Sequence, residues 1–239
     1  MNKKSSNYSM SYKEELINSI EPNFIFDKKP VNRFKFDETK NKNNNLDKIQ
    51  QINELKKLIN SLQNCNLKDY SKKLILGDGN INSPIMIIGE APGEEDEKTG
   101  KTFQGESGKL LEKMLLAINL KKDNIYSSYA INFRPPEDRK PTAQEIKRYS
   151  AYLKEHISLI DPKIIILMGS TAMESLTGLN NKISNERGNW KEIILKNKTY
   201  PIMITFSPSY LLRFPENKKH SWEDLKKIKQ KILDLNIKI

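Results

Sequence analysis

The sequence predicts an α/β protein, a three-layer α/β/α sandwich built on a mainly parallel central sheet. Three observations carry that prediction. Short runs such as Pro84–Ile88 and Lys163–Met168 are almost wholly apolar, as strands buried on both faces are. Longer stretches carry apolar residues three and four apart, the spacing of a helix with one buried face. The two kinds of segment alternate along most of the chain, the pattern of parallel strands joined by helical crossovers.

Residues 1–45 stand apart as a polar extension and linker, with nine basic and six acidic residues. Within them Leu16, Ile17 and Ile20 suggest a short helix over Tyr12–Ile20, which Pro22 would end, leaving Phe24, Ile25 and Phe26 as an apolar tail. The run Lys40–Asn45 is a linker by composition. The domain proper is expected over 46–239. It opens with Leu46, Ile49, Ile52, Leu55, Leu58, Ile59 and Leu62 on one face of an amphipathic helix. Pro84–Ile88 is a strand ending at Gly89, and Ser107–Ile118 a helix with Leu110, Leu111, Met114, Leu115 and Ile118 on one face. Ile125–Ile131 reads as a strand, Thr142–Ile160 as a helix starting after Pro141, and Lys163–Met168 as a buried strand. Ser170–Leu176 is a short helix. Trp190–Leu195 and Tyr200–Phe206 are strands joined at Lys196–Lys198, and Trp222–Leu235 closes the chain as a helix. There is no internal repeat.

Composition removes several function classes. One cysteine, Cys65, makes neither an internal disulfide framework nor a four-thiolate site, and two histidines, His156 and His220, add little toward a transition-metal centre. No window approaches the ~20 continuous apolar residues of a membrane span. The first residues, MNKKSSNYSMSYKEEL, lack the apolar core of a signal peptide, so a reducing cytoplasm is the expected location. The 239 residues hold 41 Lys+Arg against 30 Asp+Glu, a net charge of +11. Richness in Lys, Asn and Ile also reads as codon bias, but the excess makes a polyanionic partner electrostatically feasible.

In open α/β sheets ligands bind beyond the carboxyl ends of the strands. Three loops leave such ends here. Gly89–Gly105 contains five acids in the eight residues 90–97 and no Gly-Lys-Ser/Thr, which disfavours phosphate. It is either a solvated acidic loop or a set of acids that steady a cation or orient a water, with a magnesium site the weaker option. Asn132–Lys140 contains Arg134-Pro135-Pro136, a rigid turn whose arginines could also hold phosphates. Ser207–Arg213 contains Leu211-Leu212-Arg213, either helix core or an apolar wedge for a base stack with a cation for phosphate.

Together these stretches are recognisable. GEAPGEEDEKTGKTFQGESGKLL (89–111), RPPEDRKPTAQE (134–145), DPKIIILMGSTA (161–172), ERGNW (186–190), SPSYLLR (207–213) and KHSW (219–222) resemble the family 4, iron–sulfur type uracil-DNA glycosylases over roughly residues 46–235. The resemblance implies hydrolysis of the N-glycosidic bond of deoxyuridine after base flipping, a DNA-repair activity with DNA as partner, no membrane and a monomer. It implies that Glu90 and Asp96 act on sugar and water, that Ala91 lies beside the sugar, and that the base stacks on Phe103. Ser209, Leu211, Leu212 and Arg213 match the DNA-inserting loop, Arg134 is a candidate DNA contact, and Lys219 and His220 match positions beside the DNA-facing C-terminal helix, where His220 either caps the helix or meets phosphate.

The departures matter as much. The family's last motif begins with a histidine that donates to the uracil oxygen gaining charge; here that position is Ser207. Loss of one such donor typically lowers the rate by ~10²–10³. The family's asparagine that reads the uracil edge falls on Tyr129, with Asn132 three positions on and so on the opposite strand face. Of four cluster cysteines the family supplies, Cys65 matches the second, and the others fall on Leu62, Phe133 and Tyr149. One thiolate does not hold a [4Fe–4S] cluster, so no cofactor is expected, with Cys65 a remnant ligand position and apolar packing in the cluster's place. Residues 213–239 hold eight basic and four acidic residues, a solvated helix face or a phosphate-facing one. Two functions stay open at this point: excision of uracil or another deaminated base, or DNA binding by the same fold with little or no excision.

Overall fold

In a computed structural model of the protein, the described residues are 38–238, apart from 64 and 72. The helix expected over Tyr12–Ile20 and the tail Phe24–Phe26 lie outside them. The unit described below is Asn44–Ile239. The first described helix, α1 (Glu38–Asn60), runs through Lys40–Asn45. No glycine or proline interrupts that stretch, and lysine is a good helix former, so polarity alone does not break it.

After α1 come α2 (Asn66–Tyr70), β1 (Gly77–Gly79), β2 (Ile85–Gly89), α3 (Glu94–Thr99), α4 (Gly105–Leu116), β3 (Tyr126–Tyr129), α5 (Ala143–Ile160), β4 (Ile164–Met168), α6 (Ser170–Thr177), α7 (Ile183–Glu186), β5 (Trp190–Leu195), β6 (Lys198–Thr205), α8 (Pro208–Arg213) and α9 (Lys218–Asp234). The strands form one six-stranded sheet in the order β1-β3-β2-β4-β6-β5. The four central strands are mutually parallel, and the edge strands β1 and β5 are antiparallel to their neighbours.

The alternation of side chains along a strand explains the layers. Ile85 and Ile87 of β2 and Ile164 and Ile166 of β4 pack with Leu111 and Leu115 of α4 and Leu225, Ile228 and Ile232 of α9. Met86, Ile88, Ile165 and Leu167 project the other way, onto Leu153, Ile157 and Ile160 of α5 and Met173 and Leu176 of α6. Every residue of β2 and β4 is buried, because both faces of the sheet are covered. The start of α5 is set locally: the Thr142 hydroxyl accepts from the Glu145 amide at 3.3 Å and the Glu145 carboxylate from the Thr142 amide at 2.7 Å.

Two buried polar groups lock this frame. Asp224 on α9 is fully buried and takes the Arg187 guanidinium, with Nε at 2.9 Å, and the Thr205 hydroxyl at 2.7 Å. Burial pushes its carboxyl up, and the Arg187 and Thr205 hydrogen bonds pull it back. His156 on α5 is buried between the Tyr126 hydroxyl, 2.9 Å from Nε2, and the Ser128 hydroxyl, 3.3 Å from Nδ1. Burial alone holds it down at about 3, so it is a neutral packing residue.

From β2 the chain passes to β3 on one side and then to β4 on the other. The carboxyl ends of β2 and β4 therefore flank a topological switch point, where open α/β sheets leave a crevice. No described helix is long and apolar enough to cross a membrane.

Candidate active site

A cavity of about 730 Å³ opens at that switch point. Its walls come from the chain leaving β2 (Gly89–Asp96 and Phe103–Ser107), from Tyr129 at the end of β3, from Gly169–Thr171 after β4 and from Phe206–Tyr210 after β6. Pro135, Asp138–Pro141, Ile183 and Arg213 complete it. The three loops singled out by sequence thus meet around one space. What sequence reading missed is the fourth wall, Gly169-Ser170-Thr171, although it follows a wholly apolar strand and the strand-end rule would have pointed to it.

Glu90 stands at the centre of this arrangement. Its carboxylate accepts from the Thr171 amide at 3.1 Å and the Ser170 hydroxyl at 3.3 Å, at the start of α6. The fit needs glycine at 169: a β-carbon there would overlap the Glu90 side chain, and the φ of +105° is one that L side chains rarely adopt.

Asp96 is buried and bound from three sides. Oδ1 accepts from the Gln104 amide at 2.6 Å, and Oδ2 accepts from the Gly93 amide and from the Tyr129 hydroxyl, each at 2.8 Å. Desolvation raises its carboxyl, and the three hydrogen bonds oppose the rise. A carboxylate has about four lone-pair sites, so three bonds leave one unused on a residue that lines the cavity. The expected acidic loop is in part the short helix α3, which Asp96 helps to close at its N-terminus.

Tyr129 does not offer its hydroxyl to the cavity. That oxygen donates to Asp96 and accepts from the Phe103 amide at 2.8 Å, and burial pushes the phenol well up. Its ring lies against Phe103, with centroids 5.0 Å apart and planes at 37°. Phe103 has a φ of +50°, a left-handed backbone uncommon for a bulky residue. These two rings form an apolar wall beside the end of β2, where Gly89 leaves them room. Ala91 also lines the cavity. Asn132 does not: it is buried past the end of β3, outside the strand alternation that sequence spacing assumes, and its amide donates to the Ile75 carbonyl at 3.1 Å.

Ser207 follows β6 and caps α8, its hydroxyl accepting from the Tyr210 amide at 3.3 Å and lying 3.1 Å from the Ser209 hydroxyl. Both serines and Arg213 line the cavity. Leu211 corrects the expected wedge. It is 1% exposed and part of the core, whereas Leu212 is 40% exposed, because adjacent helical residues point about 100° apart. Of the two, only Leu212 is exposed. Arg134 is also otherwise engaged: its guanidinium meets Asp138 at 2.7 and 3.1 Å, Glu97 at 3.5 Å and Glu94 at 3.6 Å, clamping the Pro135-Pro136 turn onto α3. Lys219 and His220 are exposed in the first turn of α9, outside the cavity lining.

The positions where the resemblance places cluster ligands come together. Cys65, Phe133 and Tyr149 are buried in one cluster, and Leu62 packs against it. Cys65 Sγ lies 3.2 Å from the Tyr149 hydroxyl, and the Phe133 and Tyr149 rings meet edge-on at 6.4 Å. One thiol and one phenol among apolar side chains do not fit a group that needs four thiolates. Among the described residues there is no group of three or more His, Cys, Asp or Glu able to hold a metal ion.

The cavity therefore offers an oriented carboxylate, a second carboxylate with one free lone pair, a flat aromatic wall and a hydroxyl donor. Such a set suits a reaction that builds positive charge on one fragment and negative charge on a flat, apolar-faced leaving group. Comparison with known proteins agrees on the kind of protein. The profile described as Uracil DNA glycosylase superfamily matches residues 76–226. The type-4 uracil-DNA glycosylase of Thermotoga maritima is 34% identical over 168 residues, covering 69% of this chain and 86% of that protein. That of Sulfurisphaera tokodaii is 33% identical over 189 residues, covering 76% and 85%. That of Archaeoglobus fulgidus is 28% identical over 184 residues, covering 75% and 92%.

Proposed function

Because this chain belongs to the uracil-DNA glycosylase superfamily, we propose that it hydrolyses the N-glycosidic bond of uracil, or of another deaminated base, extruded from DNA. The observation that carries this reading is the placement of Glu90 on the start of α6, within the cavity that Asp96, Phe103 and Ser207 also line. As the bond breaks, the sugar becomes oxocarbenium-like and the base leaves as an anion. Glu90 stabilises the cation. Asp96 uses its free lone pair to orient the attacking water. The base stacks on Phe103, and the Ser207 hydroxyl donates to the oxygen that gains charge. DNA approaches as a polyanion to a protein of net charge +11, with Arg213 lining the cavity and Leu212 exposed beside it in the chain. The protein acts as a cytoplasmic monomer without an iron–sulfur cluster, its Cys65 neighbourhood held by packing. Colourless, iron-free protein from iron-replete expression supports the last point, and a brown preparation overturns it.

One observation favours a second reading, a DNA-binding protein with weak or absent excision. The Tyr129 hydroxyl, at the position where the resemblance places the base-reading asparagine, is spent on Asp96 and Phe103, and Ser207 stands where that family has a histidine. The two readings separate in one assay. Labelled single- and double-stranded oligonucleotides carrying uracil, hypoxanthine or xanthine are incubated with the protein and treated with alkali. The enzyme reading expects cleavage of a uracil substrate that Glu90→Gln abolishes. No cleavage of any substrate, with salt-sensitive DNA binding intact, establishes the second reading instead.

A further inference from the structure

Phe206, Tyr210 and Phe214 form a continuous stack. Phe206 and Tyr210 have centroids 4.8 Å apart at 22°, and Tyr210 and Phe214 are 4.9 Å apart at 37°. The first two rings line the cavity. The third is outside it and 45% exposed, a large apolar ring left partly in water. The middle ring is pinned, because the Asn217 amide donates to the Tyr210 hydroxyl at 3.2 Å. Tyr210 and Phe214, four apart, lie one above the other along α8 and its exit, and Phe206 meets them from the chain entering the helix. Around Phe214 stand exposed Leu212 and Arg213, then Lys218 and Lys219 at the start of α9. Among the described residues, none of these three cations is in an ion pair.

We propose that Phe214 is a stacking platform for a base next to the one that the cavity receives, on the same strand. This inference rests on the DNA reading above and adds to it the form of the ligand: an unpaired neighbour, as in single-stranded or locally opened DNA. An exposed ring bordered by unpaired cations is the combination that single strands use, each base having a flat face for the ring and a phosphate for the cation. The pinned stack makes the platform rigid, and its inner end is already part of the cavity wall. Strand and extruded base are thus held by one series of rings.

The test reads binding without cleavage. Two labelled single-stranded oligonucleotides are compared by fluorescence anisotropy. One has a single tetrahydrofuran abasic residue between two adenosines, and the other has three tetrahydrofuran residues in a row. The wild-type protein is expected to bind the first about tenfold more tightly. Phe214→Leu, which keeps apolar bulk, is expected to bind both equally and weakly, while Phe214→Trp restores the preference. A Phe214→Leu variant that keeps the full wild-type preference overturns the proposal, as does a wild type without any preference. If the wild-type protein binds neither probe, the DNA reading fails with it. Absence of uracil excision, measured separately, bears only on the enzyme reading, since neither probe carries a scissile base.

Discussion

Tyr129 donates its phenolic proton to Asp96 at 2.8 Å and, through the same oxygen, accepts the amide of Phe103 at 2.8 Å. One hydroxyl therefore ties together the second carboxylate and the backbone of the aromatic wall. In Tyr129→Phe the ring stack survives, but the Phe103 amide and one Asp96 oxygen lose a partner. The expected result is a loss of ~1–3 kcal/mol in unfolding free energy, read from the urea midpoint at unchanged m-value. A variant as stable as wild type would show that the hydroxyl bridge has no structural role.

Gly169→Ala addresses the placement of Glu90. The added methyl overlaps the Glu90 side chain and forces an alanine to a φ of +105°, so the carboxylate has to move. A displacement of about 1 Å is enough to slow excision by ~10². Single-turnover cleavage of a uracil oligonucleotide measures this, and an unaltered rate would mean that Glu90 does not need its seat on α6.

The two leucines of α8 are expected to part company. Leu211→Ala removes a buried side chain and costs ~2–5 kcal/mol of stability. Leu212→Ala leaves the melting temperature within a degree or two (about the effect of a surface change) and weakens binding to uracil-containing duplex. Thermal melts beside gel-shift titrations show whether stability and binding divide in this way.

His156 sets a pH dependence. Its folded value of about 3 lies below the ordinary 6.5, so as pH falls between those values the unfolded chain takes up a proton that the folded protein refuses. Stability is lost through that window by up to ~1.4 kcal/mol per pH unit and regained as pH rises. Urea unfolding at pH 7, 6 and 5 is expected to give a shallower decline in His156→Gln than in wild type. Parallel profiles would mean that His156 is protonated alike in both states.

What the sequence disclosed follows from how far each signal reaches. β2 and β4 were legible because a strand buried on both faces has no polar residue to confuse it. The helix α3 was not, because Glu94–Thr99 has no apolar face and is held by Asp96 reaching back to Gly93. The loops of the site could be named from motifs, yet Leu211 and Leu212 are neighbours that no motif separates, and only the turn of α8 assigns one to the core. Arg134 carried the charge expected of a phosphate contact, but Glu94, Glu97 and Asp138 converge on it from segments that the sequence does not show to be adjacent. The role of Ser170 and Thr171 depends on β2 and β4 being neighbours in the sheet, a fact of topology rather than of local pattern.

The Arg187–Asp224 pair has a consequence for how the surface behaves. Tilting α9 away from the sheet would strand a buried carboxylate, a change that costs ~3–5 kcal/mol when such a pair is broken. The backbone positions of Lys218 and Lys219 therefore stay fixed relative to the sheet, while their exposed side chains remain free to turn. The cost of moving that helix thus falls on the buried pair, so its first turn keeps one placement on the surface.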